Sequence, residues 1–181
     1  MAFPDSTSRP ANEIVLNANP KGVFLEGYVD GTPKPGVAMQ LKAAGTVTGG
    51  RNEYEVYNQA SDGVRGLVAI LLPNFLQGTA LDTQDQTSLT DVGGDDTAFE
   101  DGDHIHMYCP VMGEELNIRV AVAGTGTGDG IAIGDKFMID DGTGLFIAVG
   151  GSEQSAPFQA VEAVADVKAG GTLVRCIYTG Y

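Results

Sequence analysis

Between Gly102 and Gly151 the chain is written almost entirely in short apolar alternations set off by turn residues. Side chains on a strand point to opposite faces in turn, so residues two apart share a face. Leu116, Ile118, Val120 and Val122 therefore line one side, with Asn117 and Arg119 on the other. Leu145, Ile147 and Val149 repeat the spacing after an Asp141-Gly142 turn. A helix cannot bury such a pattern on one face, because its period is 3.6 rather than 2. The stretch reads as a β-meander.

The rest of the chain carries the same signature. Val23 to Val29 is a short strand, closed by Asp30-Gly31 and the prolines that follow. Val37, Met39 and Leu41 alternate with polar or small neighbours, and Tyr54 shares a face with Val56. Val64 to Leu72 is apolar on both faces in its second half, which suits a strand covered on two sides. Thr172 to Tyr178 is a closing strand, with Val174, Cys176 and Tyr178 on one face. Val161 to Val167 fits one or two helical turns as well as a strand. Eight strand-like runs at short spacing predict an all-β fold, a compact antiparallel β-barrel or sandwich. Pro35-Gly36, Gly102-Asp103 and Gly134-Asp135 each open an alternating run, an echo too faint to define a repeat.

Residues 1–20 hold Pro4, Pro10 and Pro20 among small polar residues and read as an extended N-terminal arm. Residues 21–181 then form a single β-barrel domain interrupted by one long acidic loop over 77–101. The chain has 24 acidic and 10 basic residues, a formal net charge of −14. No Lys or Arg occurs from Gly66 to Ile118, so this surface repels phosphate backbones and nucleic acid is excluded as a partner. The longest apolar run, Leu67 to Pro73, is too short to span a bilayer, so no membrane is expected. The first residues lack a basic segment followed by an apolar one, so no signal peptide is expected and the protein is made in a cytoplasm. Cys109 and Cys176 sit in apolar runs and read as buried thiols, with a disulfide left open.

Candidate chemistry is sparse. His104-x-His106 places two imidazoles on one strand face, as cupin-type metal sites do. A zinc site needs four ligands, or three and a water, and no third histidine exists, so Asp101, Asp103 or Glu114 would have to complete the set. The simpler reading is a solvated face of His104, His106 and Tyr108 opposite a core face of Ile105, Met107 and Cys109. The carboxylates Asp82, Asp85, Asp91, Asp95, Asp96, Glu100, Asp101 and Asp103 match no EF-hand loop. Gly124 to Gly130 lacks the Gly-Lys-Ser/Thr of a P-loop and the third glycine of a dinucleotide fingerprint. Ser61 and Ser155 have no base near them in sequence. No catalytic residue, metal or cofactor is expected.

Three phrases carry a resemblance: Phe99-Glu-Asp-Gly-Asp-His-Ile-His-Met-Tyr-Cys-Pro-Val-Met-Gly-Glu-Glu-Leu-Asn-Ile, Ile131-Ala-Ile-Gly-Asp-Lys-Phe-Met-Ile-Asp-Asp-Gly, and Phe158 to Val164 with Thr172 to Tyr178. From about residue 54 onward the chain resembles the head-decoration, or cement, proteins of tailed bacteriophages. That resemblance implies a β-rich, non-enzymatic virion protein, a homotrimer bound to the major capsid protein on the outer capsid surface. There it would bridge coat subunits against internal pressure. An arm that orders on a neighbour fits the class, and Phe3, Arg9 and the Ile14, Val15, Leu16 patch are the expected partner contacts. The alternatives are a metal-binding cupin-like barrel built on His104 and His106, and a phage tail or fibre-base module. The chain shows neither the long repeats nor the heptads of a fibre shaft.

Overall fold

A computed structural model of the protein describes residues 14–16, 20–43, 50, 52–57, 69–72, 98–121, 130–149, 156–167 and 170–180. Ten strands run through them: β1 Val23–Val29, β2 Ala38–Leu41, β3 Glu53–Val56, β4 Ala69–Leu71, β5 His104–Cys109, β6 Glu115–Val120, β7 Lys136–Ile139, β8 Phe146–Ala148, β9 Phe158–Ala160 and β10 Thr172–Tyr178. No helix occurs among the described residues, and the fold is all-β. In place of the single barrel expected over 21–181, these strands close two. The first has the order β1-β3-β2-β4-β5 and the second β10-β6-β8-β7-β9. Each is antiparallel except for one parallel pair, β1 with β3 and β6 with β8.

The two barrels are one design used twice. If β1 to β5 are matched in order with β6 to β10, every strand pair keeps its neighbour, its direction and its register. Val29 opposite Tyr54 becomes Val120 opposite Phe146. Leu41 opposite Tyr54 becomes Ile139 opposite Phe146, and Met39 opposite Ala69 becomes Phe137 opposite Phe158. Leu71 opposite Met107 becomes Ala160 opposite Cys176, and Met107 opposite Leu25 becomes Cys176 opposite Leu116. Leu25 and Leu116 lie four residues before Val29 and Val120, so the correspondence closes around the ring.

Main-chain bonds outside the ladders follow it as well. Gly36 N donates to Leu71 O and Gly134 N to Ala160 O, both at 2.9 Å, and Asp30 N to Tyr54 O and Ala121 N to Phe146 O, both at 2.8 Å. Three glycine pairs that share a positive φ also coincide: Gly36 and Gly134 (87° and 95°), Gly50 and Gly142 (72° and 87°), Gly102 and Gly171 (84° and 84°). The echo at Pro35-Gly36 and Gly134-Asp135 is therefore one turn of this duplication, and the Gly102 turn has its counterpart at Gly171.

The interiors differ in filling. The first barrel encloses Met39, Tyr54, Leu71, Ile105 and Met107. The second encloses three phenylalanines, with Phe146 edge-on to Phe158 at 5.0 Å between centroids. Each buried phenylalanine contributes about 1.5–3 kcal/mol. Gly27 shows how one barrel compensates for its contents: a Cβ there would stand 2.4 Å from the Tyr54 ring, while the matching position in the second barrel is Ile118.

Between the barrels lies Arg119, 1% exposed although it alternates with apolar residues. Its Nε donates to Pro35 O at 2.9 Å, its NH1 to Gly171 O at 3.2 Å, and its backbone N to Gly36 O at 2.9 Å. Leu173 packs beside it, where a Cβ on Gly36 would meet Leu173 Cδ2 at 2.6 Å. Ala38 N donates to Gly144 O at 2.7 Å, and Gly142 N to Tyr57 O at 3.1 Å. The face of β6 expected to carry Asn117 and Arg119 away from the core is thus buried, because the first barrel covers part of it.

Replacing Arg119 by Ala leaves carbonyls of Pro35 and Gly171 without a donor and opens a cavity. The expected loss is at least about 2 kcal/mol in urea unfolding. Gly36→Ala forces a side chain into a positive φ and against Leu173, and is expected to lower stability by about 1–3 kcal/mol.

Candidate functional site

The His104-x-His106 pair was the main chemical candidate. Both rings project from β5, edge to face at 5.0 Å between centroids, and Tyr28 stands against His104 at 5.5 Å. His104 is exposed, and His106 Nδ1 lies 3.6 Å from Glu26 Oε1. His106 Nε2 is buried and has no hydrogen-bond partner. The carboxylates needed to complete a metal site face other tasks. Asp101 Oδ1 accepts from Gly31 N at 2.9 Å, Asp103 Oδ2 from Glu100 N at 2.9 Å, and Glu114 lies across the chain beside Tyr108. Among the described residues no group of three or more His, Cys, Asp or Glu is arranged to hold a metal ion.

The expected solvated face of His104, His106 and Tyr108 is exposed at His104, half-buried at His106 and wrong at Tyr108. Ile105, Met107 and Cys109 do face the first barrel's interior, but Tyr108 is fully buried on the opposite side. The alternation holds; the surface it points to is covered. Phe24 lies over the Tyr108 ring at 4.8 Å between centroids. Tyr108 OH donates to Glu114 Oε2 at 2.6 Å and accepts from Gly22 N at 2.7 Å. Glu114 also accepts from Val111 N at 2.9 Å and Lys21 N at 2.5 Å. This cluster ties the entry to β1, the end of β5 and the turn into β6 into one knot. Burial and the Glu114 carboxylate push the Tyr108 hydroxyl up to about 12. Burial works against the Glu114 carboxylate, but hydrogen bonds from Tyr108, Lys21 and Val111 outweigh it and hold its pKa below the usual value.

Of the expected partner contacts, Ile14, Val15 and Leu16 lie on the chain's own second barrel. β8 meets β6 only at Val120, and Ile14 to Leu16 fill the edge of β6 that this leaves. Val15 bridges Leu116, Asn117 N donates to Ile14 O at 2.9 Å, and Leu16 N to Glu115 O at 3.1 Å. Ile14 is 1% exposed and belongs to the core. Phe3 and Arg9 lie outside the described residues, as do Ser61, Ser155, Asp82 to Asp96 and most of the glycine-rich 124–130 stretch.

Cys109 and Cys176 are both free and buried. Burial pushes the Cys109 thiol up to about 11 and Cys176 well above its ordinary value, so neither forms a ready thiolate. Surface apolar groups are more informative. Val23, Phe24, Val111 and Met112 are exposed, Met112 at 72%. The start of β1 pairs with the end of β5, Val23 opposite Cys109, and residues 110–114 continue from there. All four therefore stand at one end of the first barrel. Exposed apolar residues gathered at one end of a barrel are a candidate contact surface. Sequence reasoning passed over it because Val23 and Phe24 read as ordinary strand residues.

Compared with known proteins, the chain matches no family model, and no curated protein matches it.

Tyr108→Phe removes a hydrogen bond to a buried carboxylate and is expected to cost about 1.5–3 kcal/mol in chemical denaturation. Because the Glu114 pKa is depressed on folding, its contribution is present above the unfolded carboxyl value. It is lost in acid as pH falls through the lower folded one. The stability gap between wild type and Glu114→Gln should therefore be constant at neutral pH and shrink in acid. Zinc dialysis followed by elemental analysis checks the imidazole pair: sub-stoichiometric metal is expected, unchanged by His104→Ala.

Proposed function

We propose that this chain is a non-enzymatic structural protein of a tailed-bacteriophage virion, which binds the major capsid protein on the outer surface of the head and stabilises the coat lattice as a homotrimer. The observation that carries this reading is a body made of closed sheets with exposed apolar residues at one end. Closure leaves few open strand edges to pair with the wrong neighbour. Such a body grips without deforming, as a clamp across coat subunits must. The net charge of −14 keeps its outward surface soluble at the high local density of a capsid shell. The resemblance to head-decoration proteins supplies the setting.

In this reading Val23, Phe24, Val111 and Met112 are coat-facing. The arm residues Phe3 and Arg9 stay candidates for the same contact, whereas Ile14, Val15 and Leu16 act by anchoring the arm's base.

Electron microscopy of purified particles tests the location. Density for the chain is expected on the outside of the head, at lattice three-fold positions. Density in the tail, or none on the particle, overturns the reading. Phe24→Asp and Met112→Asp are each expected to weaken binding to particles stripped of the protein by about tenfold or more, with the fold intact.

A further inference from the structure

The contact that joins the two barrels is heterologous: each contributes a different patch. The first barrel presents Pro35, Gly36 and Ala38, and the second receives them with Arg119, Leu173 and Gly144. The strand correspondence maps the presenting patch onto Ile133, Gly134 and Lys136 of the second barrel. It maps the receiving patch onto Tyr28, His104 and Asn52 of the first. A heterologous contact between repeated units leaves one patch of each kind at the two ends of the pair, and such a contact can be propagated by further copies.

Both end patches are at the surface. Ile133 stands where Pro35 stands in the covered patch, yet it is 70% exposed, and Gly134 and Lys136 are exposed beside it. The missing side chain at Gly36 admits Leu173. The space over Gly134 is similarly open, with Gln159 Nε2, at 3.8 Å, the nearest atom a Cβ would meet. On the other patch Tyr28 and His104 form an edge-to-face aromatic floor. Glu26, 67% exposed at its side chain and two residues from Tyr28 on the same strand face, adds a charge opposite in sign to Lys136. One patch therefore offers an aliphatic knob and a cation, the other an aromatic floor and a carboxylate.

We propose that copies of this chain join head to tail, Ile133, Gly134 and Lys136 of one copy seating on Tyr28, His104 and Asn52 of the next. The proposal deepens the self-association in the reading above and does not depend on the capsid. The main-chain bond Arg119 N to Gly36 O is not reproduced between copies. Tyr28 N already donates to Asn52 O at 3.0 Å, and Gly134 O already accepts from Gln159 Nε2 at 3.0 Å. The junction is made by side chains and is weaker than the contact within the chain.

Native mass spectrometry and sedimentation of the full chain test it. Wild type is expected to self-associate through this one repeated junction, with the trimer of the reading above as its closed form. Ile133→Glu and His104→Glu each place a charge in the junction and are expected to weaken association by about tenfold or more, leaving monomers with an unchanged β spectrum. Mixing the two variants is the decisive step. The Ile133→Glu chain keeps an intact receiving patch and the His104→Glu chain an intact presenting one, so the mixture is expected to form a heterodimer. A monomeric wild type, assembly indifferent to both substitutions, or a mixture that stays monomeric overturns the junction. A monomer found on capsids would sink the junction alone; a ring-forming chain absent from capsids would sink the capsid reading alone.

Discussion

Everything else in this molecule depends on how a guanidinium is accommodated where two closed sheets meet. Arg119 is buried between the barrels and donates to main-chain carbonyls on both sides, Pro35 in the first and Gly171 in the second. A guanidinium suits this position because its donors are fixed in a plane and need no further ordering to reach two acceptors. Removing a full charge from water is costly, and well-formed hydrogen bonds are what offset that cost. These two bonds tie one barrel to the other at a defined point of the seam. An apolar seam of equal area would hold them together but would specify their register less sharply.

A second fixed point lies where the barrels are joined covalently. Tyr108, Glu114, Lys21 and Gly22 draw the end of the first barrel, the turn after it and the approach to β1 into one hydrogen-bonded knot. Ile14 to Leu16 complete the unpaired edge of β6 close by. The two features divide the labour: Arg119 sets the packing of the faces, and the knot fixes the hinge between them. In the proposed role of a clamp, having neither joint free to move is an advantage.

Much of the strand content was legible in the residues, since period-two alternation with Gly-containing turns has few other solutions. The core faces of β5 and β6 came out as the pattern implied. Their outer faces did not: Tyr108 and Arg119 occupy positions that alternation assigns to solvent, and packing between the barrels, together with Phe24, Gly22 and Glu114 around Tyr108, turns them inward. Only a faint echo of the duplication was legible, at Pro35-Gly36 and Gly134-Asp135, because the duplication is kept in register rather than in side chains. Met39 matches Phe137, Tyr54 matches Phe146 and Gly27 matches Ile118, so each barrel reaches a filled interior with its own set of volumes. The glycines at Gly36 and Gly134 survive because backbone conformation, unlike core volume, has no substitute chemistry. A lone arginine inside an apolar run did not announce the seam, because Arg175 sits in an equally apolar run and is only half-buried, paired with Glu115. The exposed cluster at Val23, Phe24, Val111 and Met112 needed the β1–β5 pairing before it existed as a surface at all.

The ladder between β1 and β5 has a kinetic side. Leu25 finds its partner in Met107, so β1 cannot be closed in until β5 has left the ribosome, on the order of several seconds later at cellular synthesis rates. During that interval β1 offers a bare edge, and nascent chains on neighbouring ribosomes carry the very strand that fits it. Exchange of β5 between siblings would yield entwined pairs, each barrel correct and each molecule locked to the wrong mate.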